Sequence, residues 1–237
     1  MSETEQLQAP IKPKGPMREP GAPAVRAKPS ATMILVRRDA EKPRVLMGRR
    51  ARGHSFLPQM WVFPGGRLDR ADHRAPVASD VNPEARAVFD AHLKPGLGRA
   101  LALAAVRETW EEAGLLLAKP APARPSAGPW REFLAQGVAP DLDALQVVAR
   151  AKTPTMMTKR FDTWFLMAEA ERLLTLERQP DCGELDEIAW LGFDETGDIK
   201  LAPITGFVLD EVRLRLEQAG RPRPHLAKGA GGPVTFL

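Results

Sequence analysis

The amino-acid sequence predicts a mixed α/β fold. Short apolar runs rich in β-branched residues predict strands, and longer stretches of strong helix formers predict helices. The two kinds of segment alternate along the chain, which is typical of helices packed on a central sheet. The predicted strands are 31–36, 44–49, 61–63, 145–149, 161–168 and 188–191, and the predicted helical segments are 83–92, 99–113, 130–136 and 203–218.

The first three strands are indicated by their apolar runs and by the residues that end them. Residues 31–36 form a run that stops at charged residues, and 44–49 follow as its partner after a turn at 39–43. Residues 61–63 are brief because Pro64-Gly65-Gly66 comes next, and proline and glycine interrupt strands. These segments are expected to form one side of the sheet.

The helices are marked by residues that favour helix ends. The segment 99–113 consists of strong helix formers and stops at Gly114, the residue type preferred just beyond a helix. The segment 203–218 begins with a proline, which is favoured in the first helical turn. The first of these helices carries most of the functional information in the sequence.

Composition excludes several classes of protein. A chain of 237 residues has room for one sizeable domain with tails. Its only cysteine, Cys182, allows no intramolecular disulfide, which suits a reducing interior. No apolar run approaches the length of a membrane span, and the polar N-terminus lacks a signal-peptide core. We therefore expect a cytoplasmic protein that does not bind membranes.

The positive charge of the chain lies in its two ends. The net charge is +4, but residues 1–30 carry +2 and residues 221–237 carry +3, so the region between them is close to neutral. Binding to a phosphate backbone needs a concentrated basic face, which a near-neutral central region does not predict. Nucleic acid is therefore not an expected partner, whereas free nucleotides remain possible substrates.

Proline and glycine content suggests where the folded domain begins and ends. Residues 1–29 hold six prolines without apolar periodicity, which predicts a disordered tail. Residues 221–237 are similarly rich in Pro and Gly, which predicts a flexible basic tail. The folded domain is expected at 30–220. Whether two copies form a homodimer is left open.

Three carboxylates share one face of the predicted helix 99–113. Glu108, Glu111 and Glu112 are spaced i, i+3 and i+4, so they project to the same side. Like charges at this spacing destabilise a helix, and a hard divalent cation relieves that repulsion. Mg²⁺ and Mn²⁺ prefer oxygen ligands of this kind. A solvated acidic face is the alternative interpretation of these three residues taken alone.

A glycine turn precedes this helix. Gly65 and Gly66 end the predicted strand 61–63, and glycine permits a close approach of the backbone to a ligand or a helix. A strand, a glycine turn and a carboxylate helix together predict a cation-assisted site for a diphosphate.

With these residues the sequence resembles the Nudix hydrolase family, whose signature reads Gly-x5-Glu-x7-Arg-Glu-U-x-Glu-Glu-x-Gly-U, where U is a bulky apolar residue. Asp72 replaces the first Glu, Thr109 occupies a usually apolar position, and 34 residues rather than seven separate Asp72 from Arg107. This insert resembles that of a Nudix subgroup that contains coenzyme A diphosphatases and bacterial relatives. The residues that match the signature are Gly66, Arg107, Glu108, Glu111, Glu112, Gly114 and Leu115.

The resemblance implies an α/β/α sandwich around a mixed sheet, and hydrolysis of a nucleoside diphosphate linked to another group. It implies Mg²⁺ or Mn²⁺ held by Glu108, Glu111 and Glu112, with Glu111 and Glu112 taking part in catalysis. Arg107 is expected to orient a carboxylate through a bidentate ion pair rather than to contact the substrate. Asp72 is the predicted partner of Arg107.

Two further residues are candidates for the site. In many Nudix enzymes a carboxylate from a distant loop completes the site, and Glu184 is the candidate here; a solvated loop is the alternative. Arg160 lies before a predicted strand and could contact an anionic substrate, whereas the alternative is a surface basic residue. Gly65 and Gly66 are expected to approach the substrate.

The insert at about 73–99 has two interpretations. Its polar, proline-interrupted sequence predicts a flap that selects the substrate, whereas Val88, Phe89 and Leu93 have the spacing of a helix packed on the sheet. The substrate itself is also left open between coenzyme A or acyl-coenzyme A and an ADP-ribose-like compound. The alternative function is a non-catalytic Nudix scaffold that senses a nucleotide or binds a partner.

Overall fold

The computed structural model describes residues 16–53, 58–126, 128–179, 185–218, 220–226 and 235–237. The helices are α1 (Pro83–His92), α2 (Leu97–Ala113), α3 (Arg131–Ala135) and α4 (Pro203–Glu217). The strands are β1 (Lys28–Arg37), β2 (Arg44–Arg50), β3 (Trp61–Val62), β4 (Gly65–Arg67), β5 (Ala118–Pro120), β6 (Val138–Pro140), β7 (Gln146–Lys152), β8 (Phe161–Glu169), β9 (Leu185–Gly192), β10 (Pro224–Leu226) and β11 (Thr235–Phe236).

One mixed sheet organises the described part of the chain. Its strand order is β11-β10-β7-β8-β1-β2-β3, with β4 paired to β1 and β9 paired to β2. The pairs β1–β8 and β7–β10 are parallel, and the remaining pairs are antiparallel. Strands β5 and β6 form a separate two-stranded ribbon. The predicted mixed sheet is therefore confirmed.

Helices cover both faces of this sheet. Along β1, Met33 and Leu35 belong to the apolar cluster that contains α2, while Ile34 and Val36 belong to the cluster that contains α4. Successive side chains of a strand point to opposite faces, so β1 is buried on both sides, as its continuous apolar run requires. The α/β/α sandwich is therefore confirmed. No helix among the described residues is long and apolar enough to cross a membrane.

Helix α2 lies where its sequence pattern places it. It starts at Leu97, two residues before the expected position, and Gly114 ends it with φ 67°, a left-handed conformation that glycine adopts without strain. Thr109 is fully buried at the position that is apolar in the Nudix signature. Its hydroxyl donates a 2.8 Å hydrogen bond to the Ala105 carbonyl, so this polar group is satisfied within the helix.

The insert between Asp72 and α2 contains a packed helix, which favours the interpretation as a helix on the sheet, and its role in selecting the substrate stays a prediction. The Asn82 side chain accepts a 2.9 Å hydrogen bond from the Ala85 N–H and so caps α1. Phe89 is only 3% exposed, and its ring centroid lies 5.1 Å from that of Trp164 on β8. Gly98 allows α2 to approach α1 so closely that a Cβ at position 98 would overlap the Phe89 side chain.

Replacing Phe89 with Leu is expected to lower the free energy of unfolding by about 1 kcal/mol, because leucine fills less of the space beside Trp164. Chemical denaturation of the purified protein measures this difference. Asp90→Asn is the matched control, since Asp90 lies on the same helix and is exposed. Equal stability of the Phe89 variant and this control would contradict the packed interpretation of α1.

The structure also differs from the expectation at both ends of the domain. Strand β1 already begins at Lys28, inside the expected N-terminal tail 1–29. In the expected flexible tail 221–237, β10 pairs with β7, and Leu226 is buried. The edge of β7 carries unpaired backbone groups, and β10 supplies partners for them. The proline and glycine content of these two segments therefore does not predict that they contribute residues to strands.

Candidate active site

The last turns of α2 present three carboxylates beside the strand pair β1–β4. Glu108 and Glu112 line an open cleft, while Glu111 is the more exposed member of the group. Apolar residues on the opposite face of α2 are buried in the core, which fixes the rotation of the helix. The predicted segregation of carboxylates and apolar residues on α2 is therefore present.

Arg107 and Asp72 form the buried ion pair that the sequence analysis predicts. The Arg107 Nε lies 2.9 Å from Asp72 Oδ1, and its Nη2 lies 3.1 Å from Asp72 Oδ2. Asp72 is fully buried and also accepts hydrogen bonds from the Trp130 Nε1–H at 3.0 Å and the Asp69 N–H at 2.8 Å. This confirms that the two ends of the 34-residue insert meet beside α2.

The other edge of the same guanidinium holds two of the glutamates. Arg107 Nη1 donates to Glu108 Oε1 at 2.9 Å and to Glu111 Oε2 at 2.7 Å. Burial by itself would lower the pKa of Arg107, but the hydrogen bonds to Asp72 and the charges of the glutamates raise that pKa above its ordinary value. Arg107 therefore stays charged and connects Asp72 to the carboxylates of the cleft.

Burial keeps the pKa values of two glutamates above their ordinary range. Desolvation raises the pKa of Glu108 most, Arg107 opposes it, and the negative charge of Glu111 raises it further. Desolvation likewise raises the pKa of Glu111, again against the opposing effect of Arg107, with Asp72 adding to the rise. One arginine thus compensates only partly for the negative charge gathered here, so another positive charge would stabilise the ionised forms.

Strand β4 approaches α2 closely because two of its residues are glycines. The Gly65 N–H donates a 2.9 Å hydrogen bond to Glu112 Oε2. A Cβ at Gly66 would overlap the Glu108 carboxylate, and a Cβ at Gly65 would overlap Thr32 on β1. The two glycines therefore allow the backbone to meet two of the three glutamates directly.

The donor set fits a hard divalent cation in its chemistry. It consists of carboxylate oxygens whose combined negative charge is only partly balanced by Arg107. The backbone of Gly65 and Gly66 lies beside these oxygens and leaves no room for a side chain. Within the described residues, no three carboxylate, imidazole or thiolate groups already surround a common point. The reason is that Glu108 and Glu111 turn towards Arg107, while Glu112 turns towards Gly65.

The cleft that these residues open has a volume of about 610 Å³ and a cationic lining. Besides the glutamates and glycines at one end, it contains the ring of Phe63 and the first residues of α4. The lining includes the cationic residues Lys28, Arg50, Arg67, Lys159 and Arg160. A cleft lined by both carboxylates and several cationic residues suits a polyanion that is bound together with a metal ion.

Two predicted site residues remain, Glu184 and Arg160. Glu184 lies outside the described residues, so its role stays a prediction. Arg160 does line the cleft, but its guanidinium donates to the backbone carbonyls of Thr153 at 3.0 Å and Val25 at 2.6 Å. Sequence reasoning missed Val25 and Lys28 as cleft residues, because both lie in the proline-rich segment expected to be a tail.

Replacing Glu108 with Gln is expected to stabilise the metal-free protein at pH 7 by about 0.5 kcal/mol. The raised pKa values of Glu108 and Glu111 mean that the folded state binds protons more tightly than the unfolded chain. Stability is therefore highest below the unfolded-state pKa and falls as the pH rises through the folded-state pKa. The gain should vanish near pH 3, where both glutamates are largely protonated even in the unfolded chain.

Thermal midpoints in EDTA at the two pH values test this expectation. Glu132→Gln is the control, since Glu132 is exposed on α3. A Glu108 variant that is less stable than the parent at pH 7 would show that its ion pair with Arg107 outweighs burial and repulsion.

Comparison with known proteins adds three findings. The family model of the NUDIX domain matches residues 27–210 of the chain. The curated acyl-coenzyme A diphosphatase NUDT19 of Homo sapiens is 30% identical over 54% of this chain and 48% of its own length, so the chain spans about half of that relative. The crystal structure of a NUDIX hydrolase from Alicyclobacillus acidocaldarius has a TM-score of 0.58 at 25% identity, covering 86% of this chain and 98% of that chain.

Proposed function

The chain belongs to the Nudix family, and we propose that it is a divalent-metal-dependent enzyme that hydrolyses the diphosphate linkage of a nucleoside diphosphate derivative. The observation that carries this proposal is the group of three glutamates on one turn of α2, two of which line a cleft that also contains five cationic residues. A binding module has no need of three carboxylates that repel one another, whereas phosphoryl transfer assisted by a cation requires such a group.

We assign the metal site to Glu108, Glu111 and Glu112. A bound Mg²⁺ or Mn²⁺ would neutralise charge that develops on the phosphoryl oxygens and would lower the pKa of a bound water. Arg107 orients Glu108 and Glu111 through its Nη1, and the Gly65 N–H orients Glu112. Asp72 in turn fixes Arg107, so it acts as a positioning residue behind the site.

The cationic walls of the cleft support a substrate that carries several negative charges. Coenzyme A and its acyl derivatives carry a diphosphate and a further phosphate, and the likeness to an acyl-coenzyme A diphosphatase favours this class. An ADP-ribose-like compound is the second candidate, since it offers the same diphosphate to the glutamates. Glu184 remains a proposed additional carboxylate of the site.

Turnover of a panel of diphosphates tests the proposed function. Coenzyme A, acetyl-coenzyme A and ADP-ribose are incubated with the full chain in Mg²⁺, Mn²⁺ or EDTA, and the products are separated by ion-exchange chromatography. The expected result is cleavage of coenzyme A derivatives that is abolished by EDTA. Binding of a nucleotide without any turnover in Mg²⁺ or Mn²⁺ would contradict the proposal and would support the non-catalytic scaffold instead.

A further inference from the structure

A segment before β1 lies across the loop that joins β7 to β8. We call residues 16–27 the strap and residues 153–160 the β7–β8 loop. The strap contacts this loop at both of its ends, although its sequence has the composition of a disordered tail. The following β1 strand pairs with β8 in parallel, which brings the strap to the mouth of the cleft.

The first attachment joins the start of the strap to the middle of the loop. The Arg18 N–H donates a 2.7 Å hydrogen bond to the Met156 carbonyl. The Pro16 carbonyl accepts hydrogen bonds from both the backbone N–H and the hydroxyl of Thr158, each at 3.2 Å. All three bonds have a backbone carbonyl as the acceptor, and two of them also have a backbone N–H as the donor. They therefore depend on the path of the chain more than on particular side chains.

The second attachment is made by Arg160, through its side chain and its backbone carbonyl. Its Nη1 donates to the Val25 carbonyl at 2.6 Å while its Nε donates to the Thr153 carbonyl at 3.0 Å. The Lys28 N–H returns a 2.9 Å hydrogen bond to the Arg160 carbonyl. The guanidinium therefore joins the strap to the loop, and a planar group with donors on several atoms suits this task.

The strap and the loop together form one wall of the cleft. Val25 lines it from the strap and Arg160 from the loop, next to Lys28 and Phe161, the first residues of β1 and β8. The wall shares the cleft with Glu108 and Glu112, so a substrate held by the diphosphate site can reach it.

We propose that the strap is the specificity wall of this site, that Arg160 positions it, and that it binds the part of the substrate beyond the diphosphate. This inference rests on the proposed function. Val25 offers an apolar side chain that is 39% exposed, and Lys28 adds a positive charge at the start of β1. The wall thus suits a group that combines apolar surface with negative charge, such as the remote end of a coenzyme A type substrate.

Steady-state kinetics of two variants tests the role of the strap. Arg160→Ala and a chain that lacks residues 2–27 are expected to raise KM for coenzyme A about tenfold while kcat stays within about twofold. Arg160→Lys should restore part of the loss, because lysine can reach one of the two carbonyls. Arg213→Ala is the control, since Arg213 is exposed on α4 and its ion pair with Asp210 is long, at 3.9 Å. Thermal midpoints close to that of the parent would show that the domain remains folded.

Hydrogen exchange provides a readout that is independent of turnover. In the Glu111→Gln protein with Mg²⁺, addition of coenzyme A is expected to slow exchange of the backbone amides of the strap. An unchanged KM in both variants, or exchange in the strap that coenzyme A does not alter, would overturn the inference. If the parent cleaves ADP-ribose but not coenzyme A, ADP-ribose becomes the probe. If the parent cleaves no diphosphate at all, the proposed function itself fails.

Discussion

Replacing Glu111 or Glu112 with Gln is expected to lower kcat for the diphosphate substrate by about 100-fold or more. Each change removes one carboxylate from the proposed metal site, and with it charge stabilisation that is needed only in the transition state. Glutamine has almost the same shape as glutamate, so the fold should stay intact. Initial rates at limiting and saturating Mg²⁺, together with thermal midpoints, measure the effect.

Glu132→Gln serves as the control for this experiment, because Glu132 is an exposed glutamate on α3. It should leave both rate and metal dependence unchanged. Turnover close to that of the parent in both site variants at limiting Mg²⁺ would rule out the assignment of the metal site to this turn of α2.

Replacing Asp72 with Ala is expected to reduce the free energy of unfolding by about 3–5 kcal/mol, which is the usual effect of removing one partner of a buried ion pair. Arg107 and the Trp130 indole would each lose a hydrogen-bond acceptor in a place that water does not reach. A fall of roughly 10 °C in the thermal midpoint corresponds to this loss. Activity should also fall, because Arg107 orients Glu108 and Glu111.

Two further variants separate the contributions of Asp72. Asn at this position keeps an acceptor but not the charge, so its loss of stability should be smaller than that of Ala. Asp210→Ala removes an exposed ion pair with Arg213 and should change stability little. A thermal midpoint of the Asp72→Ala protein equal to that of the Asp210 variant would contradict the structural role of the buried pair.

The parts of the site that could be predicted from the sequence are those with a strong periodic signal. The spacing of Glu108, Glu111 and Glu112 fixes a shared helix face wherever α2 lies in the fold. The pairing of Asp72 with Arg107 could be predicted across 34 residues, because the family signature places both groups behind the carboxylates. The closure entropy of a longer loop rises only slowly with length, so the insert does not prevent the contact.

The parts that could not be predicted depend on contacts between distant segments. Strand β4 has only three residues, two of them glycines, so it carries no apolar pattern and exists through its pairing with β1. Helix α1 is predicted with its observed bounds, but its packing is left open, because the burial of Ala85 and Phe89 depends on contacts with distant segments such as Trp164 on β8. The strap is held largely by backbone hydrogen bonds, which leave no signal in composition.

The guanidinium of Arg107 has five N–H groups, and each of them has an acceptor in this structure. Nε and one N–H of Nη2 donate to Asp72, the other N–H of Nη2 donates to the Arg67 carbonyl at 3.0 Å, and the two of Nη1 donate to Glu108 and Glu111. Turning both glutamates away would release only two of these bonds, so the side chain would stay anchored by the other three. A lysine, with all its donors on one atom, could not hold the insert, strand β4 and the glutamates at once. The planar shape of this one side chain, and not its charge alone, therefore holds three separate segments of the chain together at the site.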